Sequence, residues 1–190
     1  MAIRFVREAL KPADILAGRN IEGRIAQGIR DLLGSYTNHN ALILRHNTMG
    51  LCVGDTMPPE AAVVDLEYYE EKVNAGLYVV RIWRVRNMAA DERLHVSRYW
   101  QIYCDHQPYP SVNLCRLWVF RAINHLPWEI RGRWCTKNTL IPFELVLPAD
   151  RDPRRRPDGK VKKNPTPRTM ENRLVAGVLE DVTPQVIEEV

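Results

Sequence analysis

Apolar and polar positions along the chain follow two rhythms. In "NIEGRIAQGIRDLLGS" (residues 20–35), Ile21, Ile25, Ile29 and Leu32/Leu33 recur at the spacing of one helix face, and Gly34 closes the run as a C-cap. A helix is predicted there. "HNALIL" and "MGLCVGD" are apolar runs separated by the polar "RHNT", which predicts an antiparallel strand pair. "PPEAAVVDLEYYEEKVNAG" predicts a helix from about Val64 to Ala75, and the alternating, β-branched "LYVVRIWRVR" a third strand. Further on, "PSVNLCRLWVFRAINHL" places Val112, Leu114, Leu117, Val119/Phe120 and Ile123 on a broad apolar face behind Ser111 as N-cap. Helices flanking an antiparallel sheet define an α+β domain.

The rhythm stops after residue 150. "RDPRRRPDGKVKKNPTPRTMENR" (151–173) is rich in cations, proline and glycine and nearly devoid of apolar residues, so it reads as an extended basic arm. "LVAGVLEDVTPQVIEEV" (174–190) reads as an acidic tail, open to being a short docked element or a partner-binding tag, with Pro184 limiting any helix. The expected organisation is a catalytic domain over 1–150 followed by these two segments.

Charge sharpens that division. The formal net charge of +4 comes from 18 basic and 16 acidic side chains in 1–150, 9 and 3 in 151–173, and 0 and 4 in 174–190. Residues 151–173 read as a solvated tail, with an anionic partner, held through contacts that salt would weaken, as the other reading. No base-reading motif accompanies the arm. The aromatics Tyr99, Trp100, Tyr103, Trp118, Trp128 and Trp134 are expected in the core and a cleft wall rather than on a stacking platform.

At 190 residues, 45% hydrophobic and 26% charged, the composition is that of an ordinary globular protein. The N-terminus has no secretory pattern and no run approaches a membrane span, so a soluble, cytoplasmic protein is expected. The four cysteines, Cys52, Cys104, Cys115 and Cys135, form no C-x-x-C pair and are expected as free thiols. Gly50, Gly54 and Gly76 lack the spacing of a phosphate-binding loop. "CDH" at 104–106 has no partner at zinc-ligand spacing, so neither metal nor other cofactor is expected.

The stretch "GRWCTKNTL" (132–140) carries the candidate chemistry. Cys135 follows a basic, glycine-containing turn, and "TKNTLI" can form one or two helical turns before Pro142. A helix N-terminus lowers a thiol's pKa and so favours the attacking thiolate. A histidine base is also required, and His39, opening the strand "HNALIL", has the best setting. Asp55, at the end of the next strand, is placed to orient its ring. Cys52 and Cys115 fit buried structural positions, His46 a hairpin turn and His125 a helix C-terminus.

The succession "LKPADILAGR", "YTNHNALIL", "GLCVGDTMPPEAAVVDLEYYEE", "GLYVVRIWRV" and "RWCTKNTL" resembles the circularly permuted NlpC-type members of the papain-like cysteine peptidase superfamily, the group that includes the lecithin retinol acyltransferase-like enzymes. The resemblance covers roughly residues 10–147. It implies that Pro12, Ala13 and Asp14 open the domain, with Ala13 where glycine is usual. It implies His39 as base, Asp55 as orienting acid in place of the usual glutamate, and Cys135 with Thr136 as the nucleophile's pair at a helix start. Lys137 stands where an acidic residue often follows. The implied fold is papain-like, and the implied activity is a cysteine peptidase, amidase or acyltransferase acting on a peptide, other amide or ester. The alternative from another class is an inactive papain-like scaffold whose basic arm engages an anionic partner.

Overall fold

In the computed structural model the described residues are 2–108, 142–143, 145–147, 151–153 and 167–190. A six-stranded antiparallel sheet in the order β5-β4-β3-β2-β6-β7 forms the centre of the fold. Its strands are β2 (Ile15–Asn20), β3 (His39–His46), β4 (Gly50–Thr56), β5 (Ala61–Val64), β6 (Tyr78–Val85) and β7 (Leu179–Asp181). Helix α1 (Arg24–Leu33) links β2 to β3, α2 (Leu66–Asn74) links β5 to β6, and α3 (Ala90–Tyr103) follows β6. Near the C-terminus come α4 (Pro167–Val175), β7, the single turn α5 (Thr183–Val186) and β8 (Ile187–Glu189). Strand β8 pairs with the N-terminal β1 (Ile3–Phe5) in a separate ribbon.

Strand alternation explains why the sheet is covered on both sides. Leu42, Leu44, Cys52 and Trp83 point to one face, where Val96 and Trp100 of α3 meet Phe143, Leu147 and Met170. Leu16, Ala41, Ile43, Val53 and Ile82 point to the other, under Leu66 and Tyr69 of α2 and under Phe5, Val182 and Val186. The expected α+β architecture with helices on an antiparallel sheet is thus present. No helix among the described residues is long and apolar enough to cross a membrane.

The structure departs from the sequence reading in three places and chooses between open readings in a fourth. Val64 belongs to β5, and α2 starts two residues later. Helix α3 was not expected: its buried face carries Arg93 and Ser97 beside Val96 and Trp100, while Leu94 and Ile102 lie outward, so hydropathy does not trace the helix. Residues 174–190 take the docked form, one of the two readings open from the sequence: β7 extends the sheet beside β6 and β8 pairs with β1. Both ends of the 151–173 segment are also packed. Arg151 bonds Glu92 and the Asn87 carbonyl, Asp152 is buried, and α4 buries Met170 and Arg173. A few well-placed apolar and paired charged side chains suffice to hold the two described ends of a segment whose composition is otherwise that of an arm. The sheet therefore draws on chain well beyond residue 150. Residues 154–166, the centre of the basic run, lie outside the described residues, as does the helix expected across 112–123.

Candidate active site

The turn entering β3 is tied down before the histidine is reached. Ser35 Oγ donates to the Thr37 carbonyl at 2.7 Å, and the Asn38 amide donates to the Gly18 carbonyl at 3.0 Å. From α4, the Glu171 carboxylate accepts both the Thr37 amide, at 2.7 Å, and the Thr37 hydroxyl, at 2.9 Å. His39 thus enters the sheet opposite Gly18 of β2 from a fixed position.

Asp55 comes from the other neighbouring strand. Leu42 pairs with Gly54, so Ala41 lies opposite Asp55, and His39 is its diagonal neighbour on the same face. That diagonal brings even the short aspartate side chain to the ring, and His39 Nε2 is hydrogen-bonded to Asp55 Oδ1. The second oxygen, Oδ2, accepts the hydroxyl of Tyr69 from α2. The Asp55 side chain is 1% exposed and that of His39 15%, so the acid lies within the protein and the ring at its edge.

Burial is the largest single influence on Asp55 and opposes its ionisation. It is outweighed by the His39 charge, the bonds from His39 and Tyr69, and the Thr56 backbone, which together hold the carboxyl below its ordinary range. An ionised carboxylate has no proton to give, so Nε2 must be the donor, and in the neutral ring the lone pair then lies on Nδ1. Among the described residues nothing bonds Nδ1. The arrangement sets the tautomer and ring plane of His39 from one side and leaves the lone pair of Nδ1 on the other.

Aromatic rings pack around this pair. Tyr69 meets Tyr68 edge-on, with centroids 5.3 Å apart, and Tyr78 at a tilt, 5.7 Å apart. The Tyr78 ring lies over Gly18 so closely that a Cβ there would sit 2.0 Å from its hydroxyl oxygen. Gly18 is therefore required by close approach, directly opposite His39. Burial first, and then the Asp55 charge, pushes the Tyr69 phenol well above its ordinary range, so its hydroxyl remains a donor.

Cys135 lies outside the described residues, so the His39–Asp55 pair is the part of the expected trio that the structure brings together. Cys115 and His125 lie outside them too. Cys52 and Cys104 are buried. Burial, helped by Asp65, pushes the Cys52 thiol up to about 11, which suits an inert core residue. His46 caps the β3–β4 turn, its Nδ1 accepting from the Thr48 hydroxyl at 3.1 Å. The "PAD" stretch is a clasp. Asp14, fully buried, accepts Arg84 on both oxygens at 2.7 and 2.6 Å and Arg93 at 3.4 Å, while Ala13 takes a left-handed φ of 67°. That conformation accounts for the fitness of glycine at this position.

Tyr69 was not singled out from the sequence. Its one available signal is position: in "LEYYEEK" it lies three residues after Leu66 on the buried face of α2, where a tyrosine hydroxyl needs a partner.

No protein family and no curated protein matches the chain. Among solved structures it is similar to the metalloprotein yiiX from Escherichia coli O157:H7, with a TM-score of 0.52 at 13% identity over 72% of this chain. The match spans 66% of that protein's length. At this identity the likeness concerns the fold alone.

Proposed function

We propose that the chain is a papain-like cysteine hydrolase of the permuted NlpC type, in which His39, held by Asp55, activates Cys135. The observation that supports this reading is the His39–Asp55 pair, in which a buried carboxylate engages Nε2 and nothing among the described residues bonds Nδ1. Nδ1 takes the Cys135 proton, and the thiolate attacks the carbonyl carbon of an amide or ester, forming a C–S bond as the π pair moves to oxygen. The Cys135 backbone N–H, at the expected helix start, helps hold that oxyanion. Nδ1–H then protonates the leaving nitrogen or oxygen as its bond to carbon breaks. Nδ1 next takes a proton from water, which attacks the thioester and releases the thiolate; an amine or alcohol in place of water makes the same site an acyltransferase.

The structural neighbour is a metalloprotein, which raises a metal-site reading of the same residues. The donor set does not fit one. Both Asp55 oxygens and His39 Nε2 are already engaged, leaving one ring nitrogen, and no three metal-ligating side chains group together among the described residues.

The test is to trap the acyl-enzyme. The full chain is mixed with an activated ester such as p-nitrophenyl acetate, quenched in acid and digested for mass spectrometry. An acetyl group on Cys135 that forms and decays in the native protein, and is lost in His39→Ala, is the expected result. Acetylation absent from Cys135, or spread over lysines at the same rate in both proteins, would overturn the proposal.

A further inference from the structure

A carboxylate held by one hydrogen bond swings about its last torsion, and the imidazole it orients swings with it. Asp55 is held at both oxygens, by His39 on Oδ1 and by Tyr69 on Oδ2. We propose that Tyr69 is a positioning residue of this site: its hydroxyl fixes the plane of the Asp55 carboxylate, so that Oδ1 holds His39 Nε2 and Nδ1 is aimed at the reacting thiol. The role given to the thiol rests on the hydrolase reading above; the fixing of Asp55 does not.

The geometry around Tyr69 suits that task. Its ring is 1% exposed and held between Tyr68 of its own helix and Tyr78 of β6. Leu66, one turn earlier, buries against the same sheet face and anchors the helix. Among the described residues, the groups facing the carboxylate are His39 from β3, Tyr69 from α2 and the Thr56 backbone of its own strand, with Tyr78 beside Tyr69. Among the described residues, the Tyr69 hydroxyl is the group that reaches Oδ2 from outside the strand pair. A merely satisfied phenol would need any one acceptor; this one takes an ionised carboxylate on the oxygen turned away from the histidine, where a charge-assisted bond restrains rotation most.

The experiment is a carbon-13 NMR titration of the Asp55 carboxyl in the full-length protein. Tyr69→Phe keeps the ring and its packing and removes only the donor, so the Asp55 midpoint moves up. Replacing Tyr69 with 3-fluorotyrosine, a stronger donor, moves it down. Leu66→Ala, which loosens α2 without touching the hydroxyl, leaves it in place. An unchanged midpoint in both Tyr69 variants, or an equal upward shift in Leu66→Ala, would overturn the proposal. The pH profile of Cys135 alkylation in the same proteins is the second reading, and Tyr69→Phe moves its acid-side midpoint in parallel with Asp55. A wild-type alkylation rate with no such midpoint would defeat the hydrolase reading alone, with the carboxyl titration still deciding the role of Tyr69.

Discussion

A charge sealed away from water depends on its few neighbours, and two aspartates here show this in opposite ways. Asp55 is balanced by one histidine and one phenol; Asp14 is balanced by two arginines, Arg84 and Arg93, that are themselves buried. Asp14→Ala strands both guanidinium groups, and we expect thermal or urea unfolding to show a loss of about 3–5 kcal/mol. Gly18→Ala forces a methyl group against the Tyr78 ring, for an expected loss of about 1–3 kcal/mol, and a shifted Tyr78 in its crystal structure. Little change in the unfolding midpoint of Gly18→Ala would mean that the Tyr78 ring moves aside freely. His39 and Asp55 were legible in the sequence because both sit at strand ends bounded by polar turns. Tyr69 was not, because its partner lies 14 residues away on another element and no local spacing encodes that meeting.

At the level of elements, legibility followed how cleanly hydropathy separates the two sides. Strands β3, β4 and β6 bury most of their residues and stand out as apolar runs between turns, and α1 ends at a glycine in the left-handed conformation. Helix α3 hides because it buries an arginine and a serine and exposes leucine and isoleucine. Strands β7 and β8 hide because three-residue strands have no period to read; tertiary pairing alone makes them strands. Yet they matter. Removing residues 176–190 takes Leu179, Val182 and Val186 out of the core, each worth about 1.5–3 kcal/mol when buried. That total is comparable with the whole stability of a domain, roughly 5–15 kcal/mol. The truncated chain should lose cooperative unfolding by circular dichroism, and a sharp transition near the native temperature would show the C-terminal strands to be dispensable.

Across the whole molecule the same interactions set its response to pH. Asp55 has a folded-state pKa below its unfolded value of about 3.9. Its contribution to stability is fully present above that unfolded value and is lost as pH falls through the lower folded one. Stability measured by urea unfolding should thus fall on acidification more steeply in the native protein than in Asp55→Asn, and parallel curves would count against the carboxylate's tie to His39 and Tyr69. The antiparallel pairing of β3 with β4 is what sets His39 and Asp55 on adjacent strands, and the remaining link is from that pair to Cys135. The most direct measurement of it is the rate of Cys135 alkylation by iodoacetamide against pH, read site by site by mass spectrometry in native and His39→Ala protein. Native Cys135 should react at neutral pH with a midpoint well below the ~8.5 of an ordinary thiol, while buried Cys52 stays unlabelled. His39→Ala should slow that reaction about tenfold or more and return the midpoint toward the ordinary value. The same rate and midpoint in both proteins would show that His39 does not activate Cys135.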